Sequence, residues 1–577
     1  MYTTAKNVQI IIALLKKHQI KTLVLSPGGT NSPFVRGVQD DEFFNCYSVV
    51  DERSAAYFAI GLSLRKKEPV VICCTSAQAT RNYMPGLTEA FYKHVPILAI
   101  TFSKHPQYTY QGYMQAPDQT SIPKDAVKKT FALPYVTNQH DFLQCSRMVN
   151  EALLELNHYA PGPVQLNVPM LDDELGIDDT ELLPDVKEIR LYREKDLEGL
   201  QIKGKKVLIV VGENSQLKYA DFDYFLQSHN AAIYVNHLSN IKGERTVWGN
   251  LLLSCISQKF FDTNLCPDIL ITCGGQTGDY PLYHKLAESN CNYEHWSVNS
   301  DGSILDTYDH LTKVFECNPS HFFNYLCEGD VCDEYFKKWQ SYILRLKRDV
   351  SLPLSNIYIA QQMTPKIPEG SIVNFAILNS LRSWSLFEFK NQVDCNSNVA
   401  AFGIDGGMST FIGQSVTTDR LCFYITGDLA FYYDMNSLAI KYLNNNVRII
   451  LINNNGGIEF KLWGSEESKR NTDRYIAAAN HFKSAEGWAK TCGFDYISIE
   501  TKEKFDSQIT EFCKSSNSPI LMEVKLPDID EALAYAKILS CNRDIIDPSR
   551  KTILRNAIID VIGEDNFMYV KRVIGRN

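Results

Sequence analysis

The sequence predicts an α/β fold made of three doubly wound domains, each with a parallel sheet. Short apolar runs typical of buried strands alternate with helical patterns along most of the 577 residues. Several of these runs end in glycine or in a turn of acidic and amide residues. Two polar stretches, 187–206 and roughly 330–350, separate three such blocks. We therefore predict domains at 1–185, 200–335 and 352–577.

The first block starts with an amphipathic helix, because Val8, Ile11, Ile12 and Leu15 recur at helical spacing. Strand-like runs and two predicted helices follow it. The predicted strands are 22–25, 44–50, 70–74, 95–102 and 164–168, and the predicted helices are 52–66 and 79–92. This alternation favours a parallel sheet with crossover helices.

The second and third blocks repeat the alternation of strands and helices. The second contains the apolar runs 207–212 and 269–275, both ending in glycine. The third contains the runs 372–375, 421–425, 447–452 and 519–524, with a helix predicted over 432–442. The first and third blocks resemble two variants of one architecture.

Composition excludes several classes of function. Net charge is −9 and no basic block occurs, which argues against a nucleic-acid partner. No apolar run reaches the ~18 residues that a membrane span needs. The sixteen cysteines form no tight metal or disulfide framework, so we expect reduced thiols and a cytoplasmic protein.

Two polar turns in the third block are the most informative feature of the chain. Asp428 follows the run 421–425. Asn455, which stands 27 residues after Asp428, follows the run 447–452. Carboxyl ends of neighbouring parallel strands meet at one edge of a sheet, where α/β folds bind ligands. Carboxylate and amide oxygens suit Mg²⁺ (or Mn²⁺), and the adjacent glycines allow a diphosphate to approach. Each turn taken alone is also compatible with an ordinary surface turn.

This spacing resembles the signature of thiamine diphosphate (ThDP) enzymes, a Gly-Asp pair followed by a double Asn. Further motifs resemble one branch, the MenD family of 2-succinyl-5-enolpyruvyl-6-hydroxy-3-cyclohexene-1-carboxylate (SEPHCHC) synthases. These motifs are Ser26-Pro27-Gly28, Val50-Asp51-Glu52-Arg53-Ser54, Cys74-Thr75-Ser76, Asn379-Ser380-Leu381, Gly403-Ile404-Asp405-Gly406 and Gly427-Asp428-Leu429. The generic ThDP motif has Gly at the position of Leu429, whereas the MenD branch has Leu there, as this chain does. The resemblance covers essentially the whole chain.

The resemblance implies the order pyrimidine-binding, middle and diphosphate-binding domain, and it assigns roles to particular residues. Glu52 would hydrogen-bond the cofactor's aminopyrimidine ring and activate it, and Gln115 would lie near the reacting carbon. Ile404 would support the cofactor from below. The implied metal ligands are Asp428, Asn455 and Gly457, and the implied cofactor-binding residues are Asn379, Ser380, Gly403, Ile404, Gly427, Asp428, Leu429, Asn455 and Gly457. No histidine is assigned to the site.

The chain departs from the resembled family where substrate carboxylates would bind. MenD enzymes hold 2-oxoglutarate and isochorismate with several arginines and a lysine, and bidentate Arg suits that task. Here Gly29-Thr30-Asn31 stands where MenD has Ser-Arg-Ser, Trp384 and Val399 stand at two further Arg positions, and Asp279-Tyr280 replaces two basic residues. Lys104 keeps a cation in place of an Arg. The implied substrate contacts are therefore Thr30, Asn31, Lys104 and Trp384.

Three hypotheses remain open at this stage. The first is a Mg²⁺/ThDP enzyme that decarboxylates a 2-oxo acid and releases an aldehyde or transfers the acyl carbanion to an acceptor. The second is a SEPHCHC synthase with relocated cations, for which Lys104, Arg382 and Lys461 are candidates. The third is a non-catalytic scaffold. In the resembled family Glu52 and Asp428 come from different subunits, which implies a homodimer or homotetramer.

Overall fold

The computed structural model describes residues 1–171, 179–180, 182–200, 202–214, 216–326, 329, 331–460, 462, 473–478 and 480–548. The chain forms two compact units. Unit 1 comprises residues 1–196 and 300–316, and unit 2 comprises residues 197–299 and 317–577.

The described strands are numbered here in chain order. They are β1 (Tyr2–Thr3), β2 (Thr22–Leu25), β3 (Asn45–Ser48), β4 (Val70–Cys74), β5 (Ile97–Lys104), β6 (Thr130–Ala132), β7 (Val164–Met170), β8 (Asp179–Thr180), β9 (Arg190–Arg193), β10 (Val207–Val211), β11 (Ala231–Tyr234), β12 (Thr246–Val247), β13 (Ile269–Cys273), β14 (Glu294–Asn299), β15 (Leu311–Glu316), β16 (Ile372–Phe375), β17 (Asp394–Ser397), β18 (Cys422–Gly427), β19 (Val447–Asn453), β20 (Asp495–Ile499) and β21 (Ile520–Lys525).

The described α-helices are numbered in the same way. They are α1 (Lys6–Lys17), α2 (Ser32–Gln39), α3 (Glu52–Lys66), α4 (Gln78–Asn82), α5 (Met84–Tyr92), α6 (Gln139–Glu155), α7 (Asp223–Ser228), α8 (Asn250–Cys255), α9 (Gln258–Asn264), α10 (Tyr280–Ala287), α11 (Pro319–Tyr325), α12 (Glu334–Ile343), α13 (Asn356–Met363), α14 (Asn379–Trp384), α15 (Gly407–Ser415), α16 (Asp428–Tyr433), α17 (Asp473–Ile476), α18 (Glu486–Thr491), α19 (Lys502–Phe512) and α20 (Asp528–Ile546).

Unit 1 is built on a six-stranded parallel sheet in the order β3-β2-β4-β5-β7-β6. Successive residues of its strands pack on opposite faces, as the period of two requires. Val71 and Cys73 belong to the apolar cluster on one face, whereas Val70, Ile72 and Cys74 belong to the cluster on the other. Both faces are therefore covered, which explains why these strands are continuously apolar.

Unit 2 contains two parallel sheets. The first has the strand order β12-β11-β10-β13-β14, and the second has the order β17-β16-β18-β19-β21-β20. When the strands of each sheet are ranked along the chain, the β16–β21 sheet and the unit 1 sheet share the order 2-1-3-4-6-5. This order reverses between the first and third strands, which places a topological switch point at the ends of β16 and β18.

The predicted fold class is confirmed, because the structure has parallel sheets flanked by helices in each of the three predicted blocks. The domain boundaries stay predictions. The stretch 187–206, interpreted as a linker, contains strand β9, which pairs in parallel with β15 inside unit 1.

Two predicted helices differ from the structure in their bounds. The helix expected over 79–92 is divided at Tyr83 into α4 and α5, because Pro85 lies in the first turn of α5 and has no N–H to continue the helix. The helix expected over 432–442 begins earlier, at Asp428, and ends before Asp434. The Asp434 carboxylate accepts hydrogen bonds from the backbone N–H and hydroxyl of Ser409, and a 3₁₀ turn follows it.

In the described part of the chain, no helix has the length and apolar character required to cross a membrane.

Gly212, directly after β10, has no room for a side chain. A Cβ atom there would lie 1.8 Å from the carbonyl oxygen of Gly275, whereas a Cβ at Gly413 in α15 would meet no atom within 4 Å. We expect Gly212→Ala to destabilise the protein by ~1–3 kcal/mol through overpacking. We expect Gly413→Ala to stabilise it by ~0.5–1 kcal/mol through reduced chain entropy. Thermal unfolding of both variants checks the prediction, and equal melting temperatures would contradict it.

Candidate cofactor site

The polar turns of the third block meet at one edge of the β16–β21 sheet. Strands β18 and β19 are paired in register, with Gly427 opposite Ile452. Asp428 therefore leaves the sheet beside the turn that starts at Asn453. Strand β16 pairs with the other side of β18, so its continuation into Asn379 reaches the same switch point.

Asp428 is the buried carboxylate of this edge. It is the first residue of α16, and its side chain is only 3% exposed. Its Oδ1 accepts a hydrogen bond from the N–H of Leu429 at 2.7 Å, and its Oδ2 accepts one from the N–H of Gly456 at 2.9 Å. The second bond connects the ends of β18 and β19 directly.

His481 lies next to Asp428, where sequence reasoning assigned no histidine. Its Nε2 is 3.1 Å from Asp428 Oδ2, and its side chain is 10% exposed. Nδ1 accepts a hydrogen bond from the N–H of Lys483, which places the proton of a neutral ring on Nε2, and the contact of Nε2 with Asp428 is close without hydrogen-bond geometry. The edge of the ring also packs against Tyr432. No sequence motif connects position 481 to the Gly-Asp turn, since the contact is purely tertiary.

Burial raises the pKa of Asp428 above its ordinary value, while the His481 contact and the N–H of Gly456 act in the opposite direction. A buried carboxylate without a lysine or arginine partner among the described residues is electrostatically suited to a cation. The described residues contain no cluster of three His, Cys, Asp or Glu side chains able to hold a metal. A metal at this edge would thus have Asp428 as its ionised protein ligand and would need neutral oxygens and phosphate oxygens to complete its shell.

The turn after β19 is shaped by its three asparagines. Asn453 is buried, and its Nδ2 donates to Glu523 Oε1 at 2.6 Å and to the carbonyl of Lys483 at 2.8 Å. Its Oδ1 accepts a hydrogen bond from the N–H of Asn455 at 3.2 Å. Asn455 has a φ of 63°, a left-handed conformation that asparagine tolerates. Asn453 thus anchors the turn, and the Asn455 side chain makes no hydrogen bond within the described chain.

Gly457 continues this turn. Its N–H donates to the carbonyl of Ala477 at 2.6 Å, and its carbonyl oxygen accepts from the N–H of Phe460 at 3.4 Å. A carbonyl oxygen has two lone pairs, so this long bond leaves acceptor capacity at Gly457. Two adjoining strand ends thus bring together the residues predicted as metal ligands, which are Asp428, Asn455 and Gly457.

The predicted cofactor residues Asn379 and Ser380 start α14, directly after β16. Leu378 precedes them with φ 62° and ψ −124°, a strained conformation for a leucine. The carbonyl of Asn379 accepts a hydrogen bond from Asn356 Nδ2, and its Oδ1 accepts one from the Ser383 hydroxyl. Ser380 is buried. The start of α14 is therefore held in a fixed position at the switch point.

Gly403 and Ile404 lie in the loop between β17 and α15. Ile404 is 37% exposed, which is unusual for a large apolar residue that ordinary packing would bury. Gly406 has a φ of 72° and caps α15, and a Cβ at Gly407 would meet the Tyr424 hydroxyl at 2.6 Å. The glycines thus permit the loop conformation, and Ile404 remains available to a ligand.

An ion pair joins two of these segments. Arg382 of α14 donates from both terminal nitrogens to Glu459, with two distances of 2.7 Å. Glu459 lies in a 3₁₀ turn that follows Gly457. The Arg382 guanidinium also lies 5.5 Å from the ring centre of Tyr280, and that ring packs edge-on against Phe402 at 6.0 Å.

In unit 1, Glu52 is the first residue of α3 and is half-buried. The preceding Asp51 caps the helix, since its side chain accepts a hydrogen bond from the N–H of Ser54. Capping by Asp51 leaves Glu52 outside the helix-capping hydrogen bonds. Glu52 accepts a single weak hydrogen bond from Asn82 Nδ2 at 3.4 Å.

Thr30 and Asn31 lie at the carboxyl edge of the unit 1 sheet but are buried. The hydroxyls of Thr30 and Ser76 are 3.2 Å apart, and Asn31 Nδ2 donates to the carbonyl of Ser26 at 2.9 Å. The Ser26 hydroxyl and Asn31 Oδ1 are buried and have no hydrogen-bond partner among the residues that the structure describes, which leaves acceptor and donor capacity near the edge. Their predicted substrate role stays a prediction.

The structure brings Gln119 to this edge, and leaves Gln115 exposed with a φ of 58°. Gln119 is 2% exposed and accepts a hydrogen bond from the N–H of Ala77 at 2.7 Å. Its amide donates to Thr80 and to the carbonyl of Phe102. Sequence reasoning missed Gln119, because the segment holding both glutamines has no periodic pattern. The available signal is the Asp-x-Thr turn that has Gln119 as its middle residue, in which the Asp118 carboxylate accepts a hydrogen bond from the N–H of Thr120.

The other predicted substrate residues differ in exposure. Lys104 ends β5 and is half-buried. Trp384 and Val399 are 0% exposed, and the Trp384 indole donates to Asn356 Oδ1 at 3.0 Å. Asp279 is also buried and accepts hydrogen bonds from Tyr234 and Asn250. A substrate contact by Trp384 would require this core to open, and it stays a prediction. Lys461 lies outside the described residues.

Models of two protein families match the chain. The N-terminal TPP binding domain of thiamine pyrophosphate enzymes matches residues 6–122, and the C-terminal TPP binding domain of the same enzymes matches residues 384–524. The first match contains the Glu52 segment, and the second contains the turns at Asp428 and Asn455. These matches indicate an enzyme whose cofactor is thiamine diphosphate.

Curated relatives extend the match over most of the chain. The 2-succinyl-5-enolpyruvyl-6-hydroxy-3-cyclohexene-1-carboxylate synthase of Bacteroides thetaiotaomicron is 32% identical over 550 residues, covering 91% of this chain and 96% of the relative. The synthase of Phocaeicola vulgatus is 33% identical with the same coverage, and that of Desulfotalea psychrophila is 28% identical over 88% of this chain and 96% of its own. The chain therefore belongs to the thiamine pyrophosphate enzymes, in the family of the SEPHCHC synthases.

Proposed function

We propose that this chain is a ThDP-dependent carboligase of the SEPHCHC synthase type. It decarboxylates a 2-oxo acid and adds the resulting acyl group to an acceptor, with 2-oxoglutarate and isochorismate as the leading substrate pair. The observation that carries the proposal is the buried Asp428 carboxylate, held between the ends of β18 and β19 beside Asn455 and Gly457. Similarity to the synthases over 91% of the chain supports this reaction class.

The residues present fit a Mg²⁺–diphosphate group. Asp428 supplies the charge, while Asn455 and the Gly457 carbonyl supply neutral oxygens. The N–H groups at the start of α14 and the nearby glycines give backbone that a phosphate can approach. Bound at this edge, ThDP supplies the electron sink that stabilises the carbanion left by decarboxylation. Residues of unit 2 hold the diphosphate group of this cofactor.

Glu52 is the residue proposed to hold a proton on the cofactor ring. Its carboxylate is half-buried, is separated from the helix cap and has only a weak bond to Asn82. A carboxylate in that situation can accept or donate a proton at a ring nitrogen. We infer that it acts on cofactor bound by a partner subunit, which would make a homodimer the smallest active form. A cytoplasmic location also stays a prediction.

A second candidate is the same chemistry on a less acidic substrate pair, ending in aldehyde release or transfer to another acceptor. It is favoured by one observation. Trp384 and Val399, which replace arginines of the resembled family, are fully buried and apolar. They cannot supply a cation to a substrate carboxylate.

Removing the Asp428 carboxylate should strongly weaken cofactor binding. In Asp428→Ala the metal loses its ionised ligand and Gly456 loses its acceptor, so we expect ThDP affinity in Mg²⁺ to fall by ~100-fold or more, equivalent to ~3 kcal/mol. Isothermal calorimetry measures this. Asp394→Ala is the matched control, because Asp394 begins β17 at the opposite edge of the sheet and pairs with Arg420. Equal affinities in both variants would exclude Asp428 as a ligand.

Glu52→Gln should remove catalysis while preserving cofactor binding. Loss of a proton-transfer group typically costs 10²–10⁴-fold in rate, and we expect a turnover decrease of about that size. ThDP affinity should change by less than ~3-fold, since the diphosphate is held elsewhere. The control is Asp51→Asn, which perturbs the cap of the same helix but keeps Glu52. Unchanged turnover in Glu52→Gln would remove this residue from the mechanism.

A substrate panel separates the two candidate functions. The holoenzyme is incubated with 2-oxo acids, with and without isochorismate, while CO₂ and adducts are followed by mass spectrometry. We expect 2-oxoglutarate and isochorismate to give the adduct. CO₂ from a different oxo acid, without that adduct, would favour the second candidate. No CO₂ from small, branched, aromatic or acidic oxo acids would contradict both.

A further inference from the structure

Arg382 is the cation on which the three predicted cofactor segments of unit 2 converge. It lies in α14 three residues after Asn379. Its partner Glu459 lies two residues after Gly457, and Tyr280, which covers its guanidinium, contacts Phe402 directly before Gly403. The turn after Gly457 and helix α14 therefore meet at one guanidinium, and the loop before Ile404 contacts that guanidinium's neighbour Tyr280.

The geometry fixes this guanidinium and leaves part of it unused. Both terminal nitrogens donate to Glu459 at 2.7 Å, and the ring of Tyr280 lies over the group at 5.5 Å. Arginine has five N–H donors. Two are used by Glu459, and among the described residues the other three have no hydrogen-bond partner. Arg382, with its side chain 11% exposed, therefore keeps donors that Glu459 does not use, on a guanidinium whose orientation is fixed.

Other positions where the resembled family carries basic residues cannot take this role in unit 2. Trp384 and Val399 are buried and apolar, and Asp279 is an acid enclosed by Tyr234 and Asn250. Arg382 is thus a cation of fixed orientation for a carboxylate that approaches α14 and the turn after Gly457. Bidentate contact with a guanidinium is a strong and geometrically specific way to recognise a carboxylate.

We propose that Arg382 binds a substrate carboxylate, and that Glu459 is the positioning residue that orients its guanidinium. This inference rests on the proposed function and names the substrate class. The 2-oxo acid carries a second carboxylate, remote from the carbon that loses CO₂. Because the Arg382–Glu459 pair is formally neutral, it recognises this carboxylate through directed N–H donors and accommodates one such group.

The experiment compares two five-carbon 2-oxo acids that differ in the remote carboxylate. 2-Oxoglutarate has it, and 2-oxopentanoate lacks it. In Arg382→Gln we expect the KM for 2-oxoglutarate to rise by ~10-fold or more, with the KM for 2-oxopentanoate and the ThDP affinity unchanged. Arg382→Lys should restore only part of the lost affinity for 2-oxoglutarate, because lysine keeps the positive charge but lacks the paired, planar N–H donors of arginine.

Two further variants separate recognition from structure. Glu459→Gln should change the KM for 2-oxoglutarate and leave the KM for 2-oxopentanoate constant, because this substitution alters only the orientation of the Arg382 guanidinium. Arg420→Gln is the matched control, since Arg420 pairs with Asp394 at the opposite edge of the same sheet. It should affect neither KM. An equal rise of both KM values in Arg382→Gln, or no rise, would overturn the proposal, as would a wild type without preference for 2-oxoglutarate.

Binding of glutarate separates this inference from the proposed function. Glutarate cannot be decarboxylated through a 2-oxo group, so its affinity for the ThDP-loaded protein is measured by calorimetry without turnover. Binding to wild type that is lost in Arg382→Gln supports the carboxylate site even if no oxo acid reacts, in which case the proposed function alone fails. Absence of glutarate binding to wild type, or equal binding to both proteins, overturns the role of Arg382.

Discussion

The rest of the site depends on the burial of one carboxylate at the meeting point of two parallel strands. Asp428 is removed from water, yet it bonds to the N–H groups of Leu429 and Gly456 and contacts His481. These contacts compensate part of the cost of burying a charge. They also tie the ends of β18 and β19 together. A cation bound there would be held by strand ends that these hydrogen bonds already connect, which lowers the entropic cost of ordering them on binding.

Much of the fold and of this edge followed from the sequence, since local rules determine them. Continuous apolar runs identify strands buried on both faces, and their alternation with helices implies parallel pairing. Asp428 and Asn455 could be placed side by side because each directly follows such a run. The left-handed backbone of Asn455 agrees with the conformational tolerance of asparagine.

Other parts of the site could not be predicted because they arise from tertiary contacts. His481 reaches Asp428 from another segment, and Arg382 meets Glu459 across 77 positions of the chain. The inward position of Gln119 was not predicted, since residue type alone does not tell which of two nearby glutamines turns inward, and the role of Gln115 stays a prediction. The predicted helix after Asp428 had the wrong bounds, because α16 ends at Tyr433 and a 3₁₀ turn follows, with Asp434 bonded to Ser409 of another segment.

The conformation of Asn455 also limits how this protein can change over generations. The proposed role as a metal ligand needs a side-chain oxygen at this position, and the φ of 63° favours a residue that tolerates the left-handed region. Aspartate meets both conditions and is one nucleotide away from asparagine, but it would add a second negative charge next to Asp428. Glycine meets only the conformational condition. Few single-nucleotide changes at codon 455 thus keep both properties, and amino-acid substitutions at this position are expected to be rare.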